Sequence, residues 1–77
     1  LRAIGASVAI TSNIGSGFVD IVVGYQGKNY LFEIKDGDKP PSQRKLTPYE
    51  EKFFSNWAGN CHVVHNIDEC LVVFKEN

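Results

Sequence analysis

Gly17-Phe18-Val19-Asp20-Ile21-Val22-Val23-Gly24 is the stretch on which the fold of this chain turns, together with Tyr30-Leu31-Phe32-Glu33-Ile34-Lys35 shortly downstream. Residues 18–24 are apolar at odd and even positions alike. That pattern predicts a strand buried on both faces, a central strand with helices packed on either side. Tyr25-Gln26-Gly27-Lys28-Asn29 supplies a turn and residues 30–35 the next strand, so the two form a hairpin. Each strand carries one residue that a core does not accommodate. Asp20 stands among Val19, Ile21 and Val22, and Glu33 between Phe32 and Ile34. Burying an unpaired carboxylate costs several kcal/mol, so each must be paired, protonated or bound to a metal.

Working outward, Leu1-Arg2-Ala3-Ile4 before Gly5 reads as the last turn of a helix with a glycine stop, the body of that helix being expected upstream. Residues 6–10 are a first strand, and Thr11-Ser12-Asn13 opens a loop that runs on through Gly15-Ser16-Gly17. Past the hairpin, residues 36–45 are polar and rich in Pro and Gly, a surface loop. It ends at a clear helix start: Thr47 as N-cap, Pro48 at the first helical position and Glu50 completing a capping box. Tyr49, Phe53, Phe54 and Trp57 give this helix an apolar face, and Gly59 is its expected stop. Residues 61–65 are a fourth strand. Asn66-Ile67-Asp68-Glu69 caps a short helix ending at Phe74, although Leu71-Val72-Val73-Phe74 also reads as a strand. The sum is one α/β domain spanning residues 1–77, a mixed sheet with helices on its faces.

Composition bounds what such a domain can be. Seventy-seven residues, 43% hydrophobic and 22% charged, suit a single small core and exclude a disordered tail, a coiled coil or a collagen-like repeat. The net charge of −1 removes bulk attraction to nucleic acid or anionic membrane, yet an enzyme whose carboxylates offset its own basic contacts is compatible with it. No apolar run approaches the ~20 residues of a membrane span, and the N-terminus lacks a signal-peptide layout, so a soluble protein is expected. Two cysteines, Cys61 and Cys70, make no disulfide framework; free thiols in a cytoplasmic setting are the expectation.

Residues two apart in a strand share a face, so Glu33 and Lys35 point one way while Phe32 and Ile34 point the other. Pairing as a hairpin brings Asp20 near Glu33, and two carboxylates and a lysine then converge at one end of the sheet. Two adjacent carboxylates repel unless a divalent cation neutralises them, and oxygen-only ligation suits Mg2+. A cation so held polarises a phosphodiester and supplies a hydroxide nucleophile, with the lysine orienting water or stabilising developing charge. A structural ion pair of Lys35 with Asp20 or Glu33 accounts for the same residues. Cys61, His62, His65 and Cys70 invite a zinc site, but His62 and His65 on one strand face opposite sides. Phe53, Phe54 and Trp57 could stack bases; at helical spacing, core or subunit interface is the better account.

Asp20, twelve intervening residues and then Glu33-Ile34-Lys35 resembles the D…ExK signature of the PD-(D/E)XK nuclease superfamily. The flanks, Gly17-Phe18-Val19-Asp20 with Ile21-Val22-Val23-Gly24, Tyr30-Leu31-Phe32 before Glu33, Asp36-Gly37 after Lys35, and Lys45-Leu46-Thr47-Pro48, are similar to the VRR-Nuc branch in its stand-alone phage or prophage form. Phe53-Phe54, Trp57-Ala58-Gly59 and Val63-Val64 also fall where that branch has similar residues. The resemblance implies a restriction-endonuclease-like sheet flanked by helices. It implies Mg2+ or Mn2+ on Asp20, Glu33 and the backbone carbonyl of Ile34, and Lys35 as catalytic lysine. Two departures stand out: Val19 replaces the usual proline, and the family's N-terminal helix with its further acidic residue is largely absent, the chain opening where that helix ends. The family often has a glutamine early in the helix after ExK. Glu50 and Glu51 stand there instead, and no role is carried over to them.

The function implied is metal-dependent hydrolysis of DNA, with branched DNA such as four-way (Holliday) junctions as substrate, by a homodimer in the cytoplasm of a bacterial or phage-infected cell. Lys39, Ser42, Gln43, Arg44 and Lys45, just past ExK, are the candidate DNA contacts, to phosphates rather than bases; a merely solvated loop is the alternative. A catalytically degenerate DNA-binding or assembly module derived from a nuclease is the competing function.

Overall fold

Alternating apolar residues and tight turns build a four-stranded sheet whose strands lie side by side in chain order. The computed structural model describes every residue except Ser16, Arg44 and Asn77. β1 is Ser7–Ile10, β2 is Ile21–Tyr25, β3 is Lys28–Ile34 and β4 is Cys61–Val64, with helices α1, Pro48–Asn56, and α2, Ile67–Glu76. β1, β2 and β3 run as an antiparallel meander, and β4 lies parallel to β3. A parallel neighbour needs a crossover connection, which the loop after β3 and α1 supply. The β2–β3 turn is the two-residue pair Gln26-Gly27, with φ of 50° and 80°, the left-handed pair that matches strand twist in a short hairpin.

One face of the sheet holds the core. The register sets Ile21 opposite Phe32 and Val23 opposite both Tyr30 and Val8, while Val64 lies opposite Ile34. α2 closes this face with Cys70, Val73 and Phe74. The Phe74 ring lies 4.6 Å from Tyr25, 4.9 Å from Tyr30 and 5.9 Å from Phe32, so one side chain locks the hairpin under the helix. Asn66 caps α2 by accepting the Glu69 N–H at 2.9 Å. The segment 71–74, readable either way from its residues, is therefore helical: the cap sets the period and Val73 and Phe74 turn inward.

Other expectations shift in their details. β2 begins at Ile21, not Phe18. Phe18 instead donates its N–H to the Gly15 carbonyl in a turn, and its ring packs edge-on against Phe53 at 5.2 Å. β2 is an inner strand, with Val23 fully buried, but Ile21, Val22 and Tyr25 are only half-buried. Cover on the second face is the thinner one, because no residue of α1 is buried. α1 ends at Asn56 before reaching Gly59, since Trp57 turns extended at φ −81° and stacks on Phe53 at 5.1 Å. Gly5 stops the first turn at φ 88°, as the sequence predicts, but that turn is 3-10, Arg2–Ile4. No helix among the described residues is long and apolar enough to cross a membrane.

Candidate functional site

Asp20 sits one residue ahead of β2 with its backbone held from both neighbouring strands. Its carbonyl accepts the Thr11 N–H at 2.7 Å and its N–H donates to the Phe32 carbonyl at 3.2 Å. The Thr11 hydroxyl also donates to the Val19 carbonyl at 2.7 Å, tying down the residue before it. The side chain then continues the ladder that the backbone has left, as Asp20 Oδ2 accepts the Ile34 N–H at 2.8 Å. A residue's N–H and C=O emerge on the same edge of a strand, so the Ile34 carbonyl lies on the Asp20 side of β3.

Glu33 is buried, at 4% exposure, beside Asp20. By alternation it shares its face with Lys35. The Lys35 Nζ lies 3.5 Å from Glu33 Oε2 and 2.7 Å from Glu50 Oε1. Burial, then the charge and hydrogen bond of Asp20, then Glu50, push the Glu33 carboxyl up to about 8. Burial works against the Lys35 charge, but Glu50 and Glu33 outweigh it and hold the ammonium above its ordinary value. Burial likewise opposes the Glu50 charge, yet Lys35 and the Thr47 N–H outweigh it and keep Glu50 below the usual carboxylate range. The structure thus brings together Asp20, Glu33 and Lys35, and adds Glu50.

The residues present fit a hard divalent cation. Glu33 Oε1 is buried beside the Asp20 carboxylate and no donor of the chain reaches it. The candidate ligands, Asp20, Glu33 and the Ile34 carbonyl, offer oxygen only. Among the described residues no three His, Cys, Asp or Glu side chains form a ready-made cage. An ion here would rest on Asp20, Glu33, the Ile34 carbonyl and water, which is how Mg2+ is commonly held.

Lys39, Ser42, Gln43 and Lys45 are exposed on the loop that leaves Lys35, with a single 3-10 turn at Pro41–Gln43; Arg44 lies outside the described residues. The candidate zinc residues disperse. His62 is half-buried with its ring 6.0 Å from Phe32, His65 Nδ1 meets Glu69 at 3.0 Å, and Cys70 is buried on the inner face of α2. Burial and the nearby Glu33 push the Cys61 thiol up to about 11, away from thiolate chemistry. Of the α1 aromatics, Tyr49 is 73% exposed and Trp57 43%, so that face is not core. The residue that sequence reasoning missed is Glu50. Its one legible signal was the capping box, which explains the side chain without reference to Lys35, fifteen positions away.

No family model matches this chain, and neither does any curated protein or solved structure.

Proposed function

We propose that the chain is a divalent-metal-dependent DNA endonuclease of the PD-(D/E)XK type, in its VRR-Nuc branch, with the mixed sheet serving as a restriction-endonuclease-like core. The observation that carries the proposal is the buried, unpartnered oxygen of Glu33 beside Asp20, with a lysine ammonium 3.5 Å from the same carboxylate. A cation between that oxygen and Asp20 would relieve the repulsion of the two carboxylates that a Lys35–Glu33 pair alone leaves in place.

Asp20, Glu33 and the Ile34 carbonyl would hold Mg2+ or Mn2+, which supplies Lewis-acid polarisation of a phosphodiester and acidifies water. Lys35 offers a fixed positive charge at the mouth of that pair, suited to orienting the attacking water or to stabilising charge that builds on the phosphate. Asp20 is held rigidly by two strands and Glu33 by burial, so little reorganisation is needed before reaction. Lys39, Ser42, Gln43 and Lys45, with Arg44, would meet phosphates flanking the scissile bond. Branched DNA, four-way junctions above all, is the proposed substrate, and a homodimer the proposed working unit.

The test is cleavage of labelled four-way junction, flap and linear duplex in Mg2+, Mn2+ or EDTA, with Glu33→Ala in parallel. Cleavage of junctions that disappears in EDTA and falls by at least about 100-fold in the variant is expected, the scale of losing a group that stabilises the transition state. A folded protein that binds junctions without cutting them in either metal would overturn the enzyme and leave the binding module. One observation favours that second reading: Lys35 already lies between two carboxylates, a closed arrangement that needs no substrate.

A further inference from the structure

One carboxylate oxygen joins the start of α1 to the end of β3. Glu50 Oε1 accepts the Thr47 N–H at 2.9 Å, closing the capping box, and the same oxygen receives the Lys35 ammonium at 2.7 Å. The return bond of the box, Glu50 N–H to Thr47 Oγ1 at 3.2 Å, fixes the turn that carries the carboxylate. The Lys35 and Glu50 side chains are 15% and 14% exposed. A pair so shielded is screened far less than a surface pair, and its short contact is a charge-assisted hydrogen bond. The contact of Lys35 with Glu33 is longer, at 3.5 Å. A lysine has a flexible four-carbon stem and does not stay put without an anchor. The helix cap orients the anchor before the lysine arrives, so holding Lys35 costs little further order.

A consequence follows for the metal site. When Glu33 commits its oxygens to a cation, its hold on Lys35 weakens, and the added positive charge repels the ammonium. Of the two contacts, the shorter bond to Glu50 is the one whose acceptor is not counted among the ligands of the cation. We propose that Glu50 is a positioning residue, which keeps Lys35 at the mouth of the Asp20–Glu33 pair while that pair is occupied by a cation. The proposal rests on the nuclease reading of Asp20, Glu33 and Lys35 given above. It assigns Glu50 no contact with substrate or metal.

Capping alone and positioning are separable, because glutamine also completes a capping box but carries no charge. Glu50→Gln keeps the cap but gives up the charge on a shielded pair, so it should melt about 4–8 °C below the wild type with unchanged far-UV circular dichroism, and its kinetics are read well below that. Its kcat on a labelled four-way junction should fall by about 10- to 100-fold, the effect of removing an outer-shell partner. KM for the junction and Mg2+ affinity by calorimetry should each stay within about twofold, because the lost interaction binds neither. Thr47→Ala is the converse control: it removes the hydroxyl cap but keeps the Glu50 charge, so it should lower the melting temperature more than Glu50→Gln does while lowering kcat, read well below that temperature, by less. Independently of activity, the Lys35 ammonium should give a resolved 1H–15N correlation in the wild type, with and without Mg2+, and lose it in Glu50→Gln. Wild-type turnover in Glu50→Gln, or a Lys35 signal that survives the substitution, would overturn the proposal. If the wild type cuts no DNA at all, the nuclease reading fails, and the ammonium signal alone decides whether Glu50 holds the lysine: its loss in Glu50→Gln supports the tether and its persistence rejects it.

Discussion

At position 33 the interior holds a carboxyl group whose proton comes off near pH 8 instead of 4.5. Burial is the main cause, with Asp20 and Glu50 adding to it. Between those two pH values folded Glu33 keeps a proton that the unfolded chain has released. Stability depends on pH through the difference in bound protons, and here the folded state binds more, so stability falls as pH rises across this window. Glu50 acts in the opposite sense and elsewhere: its lowered value adds stability that is lost only on acidification. In EDTA, scanning calorimetry should therefore show the melting temperature falling from pH 5 to 9, and Glu33→Gln should flatten that fall by removing the titrating group. Mg2+ should bind more tightly over the same rise in pH, because the proton on Glu33 must leave before both its oxygens can face a cation. A flat wild-type profile, or metal affinity independent of pH, would contradict the placement of this carboxyl.

At the level of elements, Gly17 sets how α1 approaches the site. It sits at φ 80°, and a Cβ there would lie 2.6 Å from the Tyr49 carbonyl oxygen, which is backbone and cannot swing away. Gly17→Ala should cost about 2 kcal/mol or more, combining backbone strain with overpacking, and urea denaturation would measure it. Because Tyr49 is the neighbour of Glu50, the same variant should loosen the hold of Glu50 on Lys35. The α1 cap was fully legible: Thr47, Pro48 and Glu50 act locally, within one turn, and local chemistry is what a single sequence records best. The hairpin was legible as a pairing of two strands, though its turn is two residues, Gln26-Gly27, where five were expected, and β3 runs Lys28–Ile34 instead of 30–35; strand alternation then fixes the faces once the register is known. What escaped had tertiary causes. Phe18 is as good a strand residue as Ile21, but it closes the turn from Gly15 and packs against Phe53 and Trp57, outside β2. Glu50 looked complete as a cap, and its second partner came from a strand on the other side of a ten-residue polar loop.

Across the whole molecule, the two faces of the sheet are unequal. α2 closes one with Cys70, Val73 and Phe74, while no residue of α1 is buried against the other. The closed face is also unfinished at one end, where Ile34 and Ile67, 46% and 60% exposed, flank an open groove of about 440 Å3 reaching to Leu1. Isoleucines left in water are a cost that a second copy would relieve. The homodimer proposed above is tested at this point by Ile67→Glu. Ile67 opens α2, and an acid in the first turn of a helix is favourable to its dipole, so the variant removes an apolar contact without weakening the helix that carries it. Sedimentation equilibrium should give twice the chain mass for the wild type at about 100 μM and the single-chain mass for the variant, with unchanged far-UV circular dichroism; a melting temperature that climbs with protein concentration in the wild type alone should accompany it. A wild type that stays at single-chain mass at that concentration would reject the dimer, and a variant that still doubles would move the interface away from this groove.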